Sequence, residues 1–399
     1  MANTKIKRIG IDARFYGPIG KGLGRYTQEM VDNIIKLDEV NEYRIFLTKD
    51  NFDEFVCDGV RVKKILADVR WYTLAEQLIM PWLLRQEKLD LVHFPHFNVP
   101  LFYFGKFVVT VHDLILFKYP TNRATTLSPL LYWLKNMAYR VVIWSAVLRA
   151  KKIIAVSEFT KQDILKHFGI KADKVEVTYE GVANLSKGRD SLFDLSHDKQ
   201  ALLEYNINRP FLLYVGNVYP HKNLERLLEV FAKLYRQRDK NLQLVLVGKP
   251  DYFYERLKVK AASLNLWQPN DKSPVIFSGY VPDAKLEIFF KQALLYVFPS
   301  LYEGFGLPPL EAMAKGCPVA SSDRSSLPEI LGEAAIYFNP ESLSDMEAKI
   351  GSVIDDEDLR QKLRQLGYEQ VKKYSWWECA RATFEVYQQA IYERPEAKI

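Results

Sequence analysis

Short apolar runs, separated by amphipathic stretches, are the main pattern along this chain. The first series of runs lies at Ile6–Ile11, Tyr43–Leu47, Leu89–His93, Phe107–Val111 and Ile153–Val156. The second series lies at Phe211–Val215, Leu242–Val247, Val275–Phe277, Leu294–Phe298 and Pro318–Ala320. Runs of this length predict buried parallel strands joined by crossover helices, of which Gly22–Leu37 and Lys222–Arg236 are the clearest. The pattern predicts an α/β fold with doubly wound sheets.

A polar segment over residues 184–208 separates the two series and predicts a domain boundary. We expect a Rossmann-like domain over residues 1–190 and a second over 205–374. The aromatic-rich end of the chain, about 375–399, predicts a helix that packs back on the first domain. Because ligands bind beyond the carboxyl ends of strands in open parallel sheets, each domain is expected to carry a site there.

Composition is typical of a globular protein, with 48% apolar and 26% charged residues and no long uncharged apolar stretch. The three cysteines are odd in number and far apart, which argues against a disulfide framework. The start of the chain lacks the apolar core of a signal peptide. These features predict a cytoplasmic protein, either free or peripheral at the inner face of a membrane.

The net charge of +6 is uneven, because residues 1–200 carry 30 Lys and Arg against 23 Asp and Glu. This surplus either reflects unpatterned surface lysine or indicates an anionic partner for the first domain: a lipid surface, a lipid-diphosphate acceptor or nucleic acid. The segment Tyr119–Lys152 is apolar, aromatic and basic. It predicts either a surface that rests on a membrane or a buried helix pair. We expect no nucleic-acid partner.

The stretch from Pro299 to Ala320 carries the densest set of chemical features. A predicted strand ends before it, glycines follow at Gly304 and Gly306, and a helix is expected to begin near Leu307. A helix N-terminus with free N–H groups favours phosphate.

Two carboxylates, Glu303 and Glu311, frame this turn. A carboxylate accepts hydrogen bonds from vicinal hydroxyl groups, so both suit a sugar or a ribose.

This stretch resembles the family 4 retaining glycosyltransferases, which have two glutamates eight positions apart. The resemblance implies a GT-B fold, in which two Rossmann-like domains face each other across a cleft, and a nucleotide-sugar donor. It further implies that Glu311 binds the ribose and that Glu303 binds the transferred sugar and takes part in catalysis. The backbone that would hold the diphosphate is that of Gly304, Phe305, Gly306 and Leu307.

The segment Leu212–Leu228 is similar to the part of the family that holds the donor diphosphate. Gly216 ends a predicted strand, and Lys222 matches the family lysine that opens the next helix. By resemblance its ammonium neutralises charge on the leaving diphosphate. Asn217 stands where the family has arginine, which puts one phosphate contact in doubt. Arg226 and His221 are the candidates to replace it.

The segment Val275–Leu286 looks like the family loop that holds the nucleobase. There Gly279, Tyr280 and Val281 would contact the base through backbone groups and apolar surface. The alternative is a plain strand-to-helix loop capped by Asp283.

Two features of the first domain complete the resemblance. The glycine-rich loop that contains Gly22 would lie near the donor phosphates. His112 follows a buried strand and would face the transferred sugar as a catalytic residue, whereas a lone histidine at a strand end is more often structural.

Other chemistries find little support in the sequence. His93 and His96 are spaced like metal ligands but lack the pattern of a zinc protease, and Asp356 and Asp358 lie in a charged helical run. We therefore expect no metal site and no cofactor beyond the nucleotide sugar.

The resemblance is closest to bacterial mannosyltransferases of surface-polysaccharide and O-antigen assembly, through Leu91–Pro100 and Pro220–Leu224. It implies transfer of a hexose, with GDP-mannose as the favoured donor, to a saccharide or lipid-linked saccharide acceptor. UDP-glucose, UDP-N-acetylglucosamine and deoxysugar donors stay open. So do a GT-B epimerase or phosphorylase and, furthest from the motifs, a non-catalytic basic binding protein.

Overall fold

The computed structural model describes residues 6–18, 21–57, 59–119, 129–182, 195–237, 240–269 and 273–392. The chain divides into two compact units. The first unit comprises Met1–Leu114, Thr126–Gly181 and Ser375–Ile399, and the second comprises Ile115–Thr125 and Val182–Tyr374. None of the helices in these described ranges combines the length and apolarity needed to cross a bilayer.

Strands and helices alternate along both units. The described strands are β1 (Arg8–Asp12), β2 (Glu42–Leu47), β3 (Val62–Leu66), β4 (Leu91–Phe94), β5 (Phe107–Val111), β6 (Lys152–Ala155), β7 (Val175–Val177), β8 (Phe211–Val215), β9 (Gln243–Val247), β10 (Val275–Gly279), β11 (Leu295–Phe298), β12 (Val319–Ser322) and β13 (Ala335–Phe338). The described helices are α1 (Lys21–Leu37), α2 (Leu74–Gln86), α3 (Ile115–Lys118), α4 (Pro129–Arg149), α5 (Glu158–Phe168), α6 (Leu195–Leu203), α7 (Leu224–Gln237), α8 (Tyr252–Ser263), α9 (Asp283–Gln292), α10 (Leu307–Ala314), α11 (Leu327–Leu331), α12 (Leu343–Asp355), α13 (Glu357–Val371) and α14 (Trp376–Tyr392).

In the first unit the described strands form one parallel sheet in the order β3-β2-β1-β4-β5-β6-β7. The inner strands β4, β5 and β6 are buried along their whole length, which is why the sequence shows them as continuous apolar runs. The strand order reverses direction between β1 and β4. In such sheets the loops at that switch point form the ligand site.

In the second unit the described strands form a parallel sheet in the order β10-β9-β8-β11-β12-β13. Its switch point lies between β8 and β11. Helix α7, whose leucine and phenylalanine side chains face the core, carries the chain across from β8 to β9.

The predicted fold class, an α/β protein with two Rossmann-like parallel sheets, is confirmed. The start of the helix predicted at Lys222 is wrong, because α7 begins at Leu224. Lys222 instead ends a 3-10 turn, Pro220–Lys222, and Asn223 follows with a left-handed φ of 61°. The Asn223 side chain donates to the Pro340 carbonyl over 2.8 Å, which separates the turn from the helix.

Helix α14 packs on the first unit against α1 and the sheet. The hydroxyl of Tyr387 lies 2.6 Å from His93 Nδ1 in β4, although the two residues are far apart in the chain. Gly181 passes so close to the start of α14 that an added Cβ would lie 2.1 Å from the Trp376 nitrogen. Helix α14 is therefore part of the first unit's core.

Candidate functional site

An ion pair lies at the switch point of the second sheet. Lys222 Nζ is 2.5 Å from Glu303 Oε1, and both side chains are almost completely buried. The ammonium also lies over the ring of Phe298, the last residue of β11, at 5.4 Å from its centre. The two residues come from separate loops 81 positions apart, so the fold brings together an ammonium and a carboxylate that the motifs named independently.

The loop that carries Lys222 is fixed to the segment before Glu303. The His221 carbonyl accepts a hydrogen bond from the Leu301 amide at 2.7 Å and another from the Ser300 hydroxyl at 3.2 Å. Pro220 fixes the first φ of the turn. The ammonium and the carboxylate are thus held on a common backbone frame.

Glycines line the carboxyl ends of three neighbouring strands, β8, β9 and β10. Gly216 has a φ of 150° and Gly279 a φ of 70°, which other residues rarely adopt. An added Cβ on Gly248 would lie 2.4 Å from the Gly216 carbonyl oxygen. This glycine rim (Gly216, Gly248 and Gly279) brings main chain, rather than side chains, to the edge where a ligand is expected to bind.

Helix α10 begins at Leu307 directly after Gly306, whose φ of 115° is left-handed. Its N-terminus has no side-chain cap, so its first N–H groups have no side-chain acceptor at that position. The hydroxyl of Ser326 lies 3.1 Å from the Glu303 carbonyl and 2.8 Å from the Phe305 carbonyl. This serine holds the loop from Glu303 through Gly304 to Phe305 against the next strand-to-helix connection.

Glu311 lies one turn into α10 and is partly exposed. The charges of Glu311 and Glu303 both act on Tyr296 in β11. Burial raises the pKa of Tyr296 well above its usual value, and the charges of Tyr214, Glu311 and Glu303 raise it further. The two glutamates therefore converge on one region at the end of β11.

Asn217 and its candidate substitutes do not provide an obvious second cation. The Asn217 side-chain oxygen is buried and has no hydrogen-bond partner among the described residues. Burial, followed by the charge of Lys222, lowers the pKa of His221 to about 4, so this imidazole is neutral near pH 7. Arg226 donates to the Asn223 side chain at 3.3 Å. Lys222 is the cation that the structure pairs with Glu303 at the switch point of the second sheet.

The predicted base-binding residues follow the last glycine of the rim. Tyr280 is 71% exposed, whereas Val281 is buried. Helix α9 begins at Asp283 with Pro282 before it and no side-chain cap, so Asp283 does not act as the expected N-cap. The Gly279 amide donates to the Tyr254 hydroxyl at 2.8 Å, which fixes the loop from the strand side.

In the first unit, His112 sits at the carboxyl end of β5 between two acceptors. Its Nδ1 is 3.0 Å from Glu180 Oε1, and its Nε2 is 2.9 Å from the Pro95 carbonyl oxygen. Burial lowers the pKa of His112, but the hydrogen bond and charge of Glu180 outweigh it, so the pKa is raised. Both partners accept hydrogen bonds, so this arrangement favours the protonated ring, in which both nitrogens donate.

The other residues predicted in the first unit have different environments. His93 is fully buried between the Tyr387 hydroxyl and Thr110 Oγ1, 2.8 Å from the latter, and burial lowers its pKa to about 3. Gly22 is exposed at the start of α1, and an added Cβ would meet nothing within 4 Å. Gly24 is the crowded glycine of this loop, because its Cβ would lie 2.1 Å from the Gly17 carbonyl oxygen.

Sequence reasoning missed three features of these sites: Glu180, Gly248 and the aromatic residues near His96. Glu180 follows the short strand β7 and is marked by no motif. Gly248 directly follows the apolar run of β9, so its position after a strand was a usable signal. Asp356 caps α13 by accepting from the Leu359 amide, and among the described residues no group of three or more His, Cys, Asp or Glu side chains is placed to hold a metal ion.

Helix α4 presents a row of large apolar side chains to solvent. These residues recur at helical spacing and are 38–56% exposed: Trp133, Met137, Val141, Trp144 and Leu148. The helix has basic but no acidic residues. Its opposite face, with Ile143, Ala146 and Val147, is buried. Helix α4, the described part of the segment Tyr119–Lys152, is therefore neither wholly buried nor polar on its outer side.

A second apolar helix borders the same surface. Leu101 accepts a hydrogen bond from Arg149 at the end of α4 and donates its amide to Gln77 in α2, at 3.0 and 2.7 Å. Leu101 thus links the two helices, and the loop that follows it carries exposed Phe102 and Phe104. The outer side of α2 adds four more exposed residues: Leu74, Leu78, Ile79 and Trp82. We call this combined region the apolar surface of the first unit.

Sequence comparison finds relatives over most of the chain. A family model described as "Glycosyl transferases group 1" matches residues 198–370, and one described as "Glycosyltransferase Family 4" matches residues 20–183. The O-antigen chain mannosyltransferase B of Escherichia coli is 28% identical over 389 residues, which cover 92% of this chain and 95% of that protein. The O-antigen chain mannosyltransferase RfbU of Salmonella typhimurium is 26% identical over 350 residues, which cover 84% of this chain and 88% of that protein.

Structural comparison agrees on the architecture. A sucrose-phosphate synthase from Thermosynechococcus elongatus superimposes with a TM-score of 0.72 at 19% identity, over 96% of this chain and 98% of that one. The two parallel-sheet units thus have the GT-B fold.

Proposed function

We propose, on the premise that this chain belongs to the group 1 and family 4 glycosyltransferases, that it moves mannose from GDP-mannose to a saccharide or lipid-linked saccharide. The observation that carries the proposal is the buried pair of Lys222 and Glu303 beside the glycine rim. A diphosphate needs a cation and main-chain N–H groups, and a hexose needs a carboxylate that accepts from its hydroxyls. The second sheet offers all three at its switch point.

Catalysis then rests on electrostatic stabilisation of the leaving diphosphate. The bond between the anomeric carbon and the diphosphate oxygen breaks while the acceptor hydroxyl oxygen forms a bond to the same carbon. The acceptor proton passes to the departing phosphate oxygen. In this scheme the Lys222 ammonium and the N-terminus of α10 neutralise the developing charge, and Glu303 orients the sugar. A fixed protein cation fills the role that a metal ion has in other transferases, so we propose that transfer needs no added metal.

The choice of donor follows the relatives. Both O-antigen mannosyltransferases cover most of this chain, which supports mannose as the transferred sugar. We propose that Glu311 binds the ribose and that the backbone at Gly279, Tyr280 and Val281 meets the guanine. Retention of the anomeric configuration is part of the same proposal, with attack on the face from which the diphosphate leaves.

Thermal unfolding in the presence of one nucleotide at a time tests the donor assignment. GDP, UDP, dTDP and ADP are each added with EDTA, and GDP is expected to raise the melting temperature most. The shift is expected to vanish in Lys222→Ala and Glu311→Ala. A larger shift with UDP would replace GDP-mannose by a UDP-sugar, and no shift with any nucleotide would overturn the donor site.

Product analysis tests the reaction itself. The protein is incubated with GDP-mannose and an α-mannoside acceptor in EDTA, and the new linkage is read from the anomeric proton–carbon coupling. An α-linked product is expected, because GDP-mannose carries an α bond. A β-linked product would contradict retention, and hydrolysis or isomerisation of the donor without transfer would contradict glycosyl transfer.

We further propose that the apolar surface of the first unit rests on an anionic lipid surface and so brings the enzyme to a lipid-linked acceptor. Exposed Trp and Leu side chains on α4 and α2 match an interfacial helix, and exposed Lys135, Arg140 and Lys151 add positive charge. Patches of this kind are rarely left exposed without a partner.

Vesicle sedimentation tests this contact. The wild type is expected to sediment with phosphatidylglycerol vesicles and less with phosphatidylcholine vesicles. The double variant Trp133→Ser with Trp144→Ser is expected to stay in solution. Trp377→Ser, which removes an exposed tryptophan from α14, is the matched control and should sediment like the wild type. If the wild-type protein does not sediment with phosphatidylglycerol vesicles, the proposal is overturned.

A further inference from the structure

Aromatic side chains gather at the carboxyl edge of the first sheet, and none of them takes part in the two side-chain hydrogen bonds of His112. They follow three strands of the sheet, with one addition from α4: Phe15 after β1, Trp71 and Tyr72 after β3, His96 and Phe97 after β4, and Tyr139. Phe15 and Trp71 stack with ring centres 4.2 Å apart and planes within 6°. We call this set the aromatic platform.

Contacts continue through the rest of the platform. His96 lies 5.7 Å from Phe15 and 3.8 Å from Phe97, measured between ring centres. Tyr72 meets His96 edge-on at 6.3 Å, and Phe97 meets Tyr139 edge-on at 5.1 Å. The rings therefore form one contiguous cluster rather than isolated side chains.

A buried ionic cluster holds the loops that carry the platform. Arg14 Nη2 lies 2.7 Å from Asp12 Oδ2 and 2.6 Å from Glu76 Oε1, and the Arg14 and Glu76 side chains are fully buried. Glu76 also accepts from the Tyr72 amide at 2.7 Å and from the Asn98 side chain at 2.8 Å. Every loop of the platform is thus tied to the same carboxylate network.

Tyr72 is held in a backbone conformation that a bulky residue rarely adopts. Its φ is 60°, in the left-handed region, and its side chain is 58% exposed. The hydrogen bond from its amide to Glu76 keeps it there. Strained residues of this kind persist where the surrounding structure fixes them, and they concentrate at ligand sites.

His96 offers a hydrogen-bond donor at the edge of the platform. Its Nδ1 accepts from the Asn98 amide at 3.3 Å, which leaves the proton of the neutral ring on Nε2. Burial, and then the charge of His112, lower the pKa of His96 to about 3, so the ring stays neutral. Nε2 has no hydrogen-bond partner in the part of the chain that the structure describes.

We propose that the aromatic platform binds a pyranose ring of the acceptor saccharide. One face of a pyranose is formed by C–H groups and packs on aromatic rings, while its hydroxyl groups at the rim need donors and acceptors. The exposed Tyr72 ring and the partly exposed Phe15–Trp71 stack supply the apolar face, and His96 Nε2 donates to a hydroxyl oxygen. The site suits an uncharged sugar, because Arg14, the cation beneath it, is sealed and fully paired.

The saccharide class follows from these contacts alone, whereas its role as the acceptor rests on the proposed function. Three variants separate the contacts from folding. Tyr72→Gly removes the ring and accepts the left-handed φ without strain. His96→Phe keeps the aromatic surface and removes the donor, and His96→Gln restores a donor in a non-aromatic side chain.

Saturation-transfer NMR without any nucleotide tests saccharide binding. The probes are α-mannobiose and the methyl glycosides of mannose, glucose, galactose and N-acetylglucosamine. At least one probe is expected to receive saturation on its ring C–H protons from the wild type. The signal is expected to be lost in Tyr72→Gly and to be weakened in His96→Phe more than in His96→Gln. Tyr252→Ala, an exposed tyrosine of the second unit, is the matched control and should leave the signal unchanged.

Transfer kinetics then test the acceptor role. With a probe that serves as acceptor, Tyr72→Gly is expected to raise its KM about tenfold while the donor KM stays within about twofold. Saccharide binding that persists unchanged in Tyr72→Gly and in His96→Phe, or no binding of any probe, would overturn the proposal. Binding that depends on Tyr72 in a protein that transfers no sugar would instead overturn only the proposed function.

Discussion

The carboxyl edges of the two sheets are built from different materials. In the second unit the edge is mainly main chain, namely the glycine rim and an uncapped helix N-terminus, together with the side-chain ion pair of Lys222 and Glu303. In the first unit the edge is side chains: an aromatic platform and a histidine fixed by Glu180. A diphosphate is compact and charged and is bound best by close N–H groups and a cation. A saccharide presents a broad apolar face, which needs rings rather than backbone.

Charge is also placed differently in the two units. Lys222 and Glu303 keep a small exposed fraction and lie where a ligand is expected. Arg14 and Glu76 are sealed and bond only to protein. We therefore expect charge removal in the second unit to cost activity, and charge removal in the first to cost stability.

Arg14→Met is the strongest test of this contrast. It leaves Asp12 and Glu76 buried without their cation, so we expect the free energy of unfolding to fall by about 3–5 kcal/mol. Urea unfolding measures this loss. Arg381→Met is the control, because its carboxylate partners on α14 remain in water, and it should unfold at the wild-type urea concentration. Equal losses in the two variants would remove the distinction between sealed and exposed charge.

Lys222→Met is expected to lose mainly activity, whereas Arg14→Met is expected to lose mainly stability. Without the ammonium, kcat/KM for the nucleotide sugar is expected to fall about 10²–10³-fold, because charge on the leaving diphosphate is no longer neutralised. Some stability is also lost, since Glu303 becomes an unpaired carboxylate. The double variant Lys222→Met with Glu303→Gln separates the two effects. It is expected to recover wild-type stability but no activity, and a recovery of activity would contradict the role given to Lys222.

Gly248→Ala tests whether the rim depends on bare main chain. The new Cβ would meet the Gly216 carbonyl oxygen, so β8 and β9 must separate at their ends. We expect a loss of about 1–3 kcal/mol in unfolding free energy, together with weaker nucleotide binding. The matched control is Gly22→Ala, where the Cβ meets nothing and the helix α1 is expected to gain about 0.5–1 kcal/mol. Calorimetry that finds the two alanines equivalent would refute the close approach at the rim.

Glu180→Gln tests the charge state of His112 through pH. The folded pKa of His112 is raised, so its protonation stabilises the fold below the unfolded pKa of about 6.5 and this gain is lost as pH rises through the folded pKa. The variant removes the main cause of the rise. Wild type and variant should differ by about 2 kcal/mol near pH 6 and progressively less towards pH 9. A gap that is constant with pH would mean that His112 is neutral.

The same contrast explains what could be predicted from the sequence. The strands missed are β3, β7 and β13, and all three are at sheet edges. An edge strand is buried on fewer sides, so β3 carries Lys63 and Lys64 and shows no apolar run. Inner strands must be apolar on both faces, so they can be recognised in the sequence as continuous apolar runs.

The sites divide in the same way. Backbone recognition needs glycine at strand ends and a helix start nearby, which gives a compact motif from Glu303 to Leu307. Side-chain recognition assembles residues that are distant in sequence: Glu180 meets His112 over 68 positions, and Tyr72 meets His96 over 24. No local pattern encodes such pairs. The Lys222–Glu303 contact was likewise readable only as two separate motifs.

Tyr280→Ala is expected to have the smallest effect, and it compares two exposed tyrosines at the two edges. The Tyr72 backbone amide donates a hydrogen bond to the Glu76 carboxylate, which fixes this residue, whereas the Tyr280 side chain makes no hydrogen bond within the described residues. A mobile ring loses conformational entropy when a nucleobase orders it, and this loss offsets much of the stacking gain. Calorimetric titration with GDP is therefore expected to show an affinity loss below about threefold, or about 0.6 kcal/mol. A loss above tenfold would mean that the second unit also recognises its ligand through a fixed aromatic side chain, and the contrast between a main-chain edge and a side-chain edge would fail.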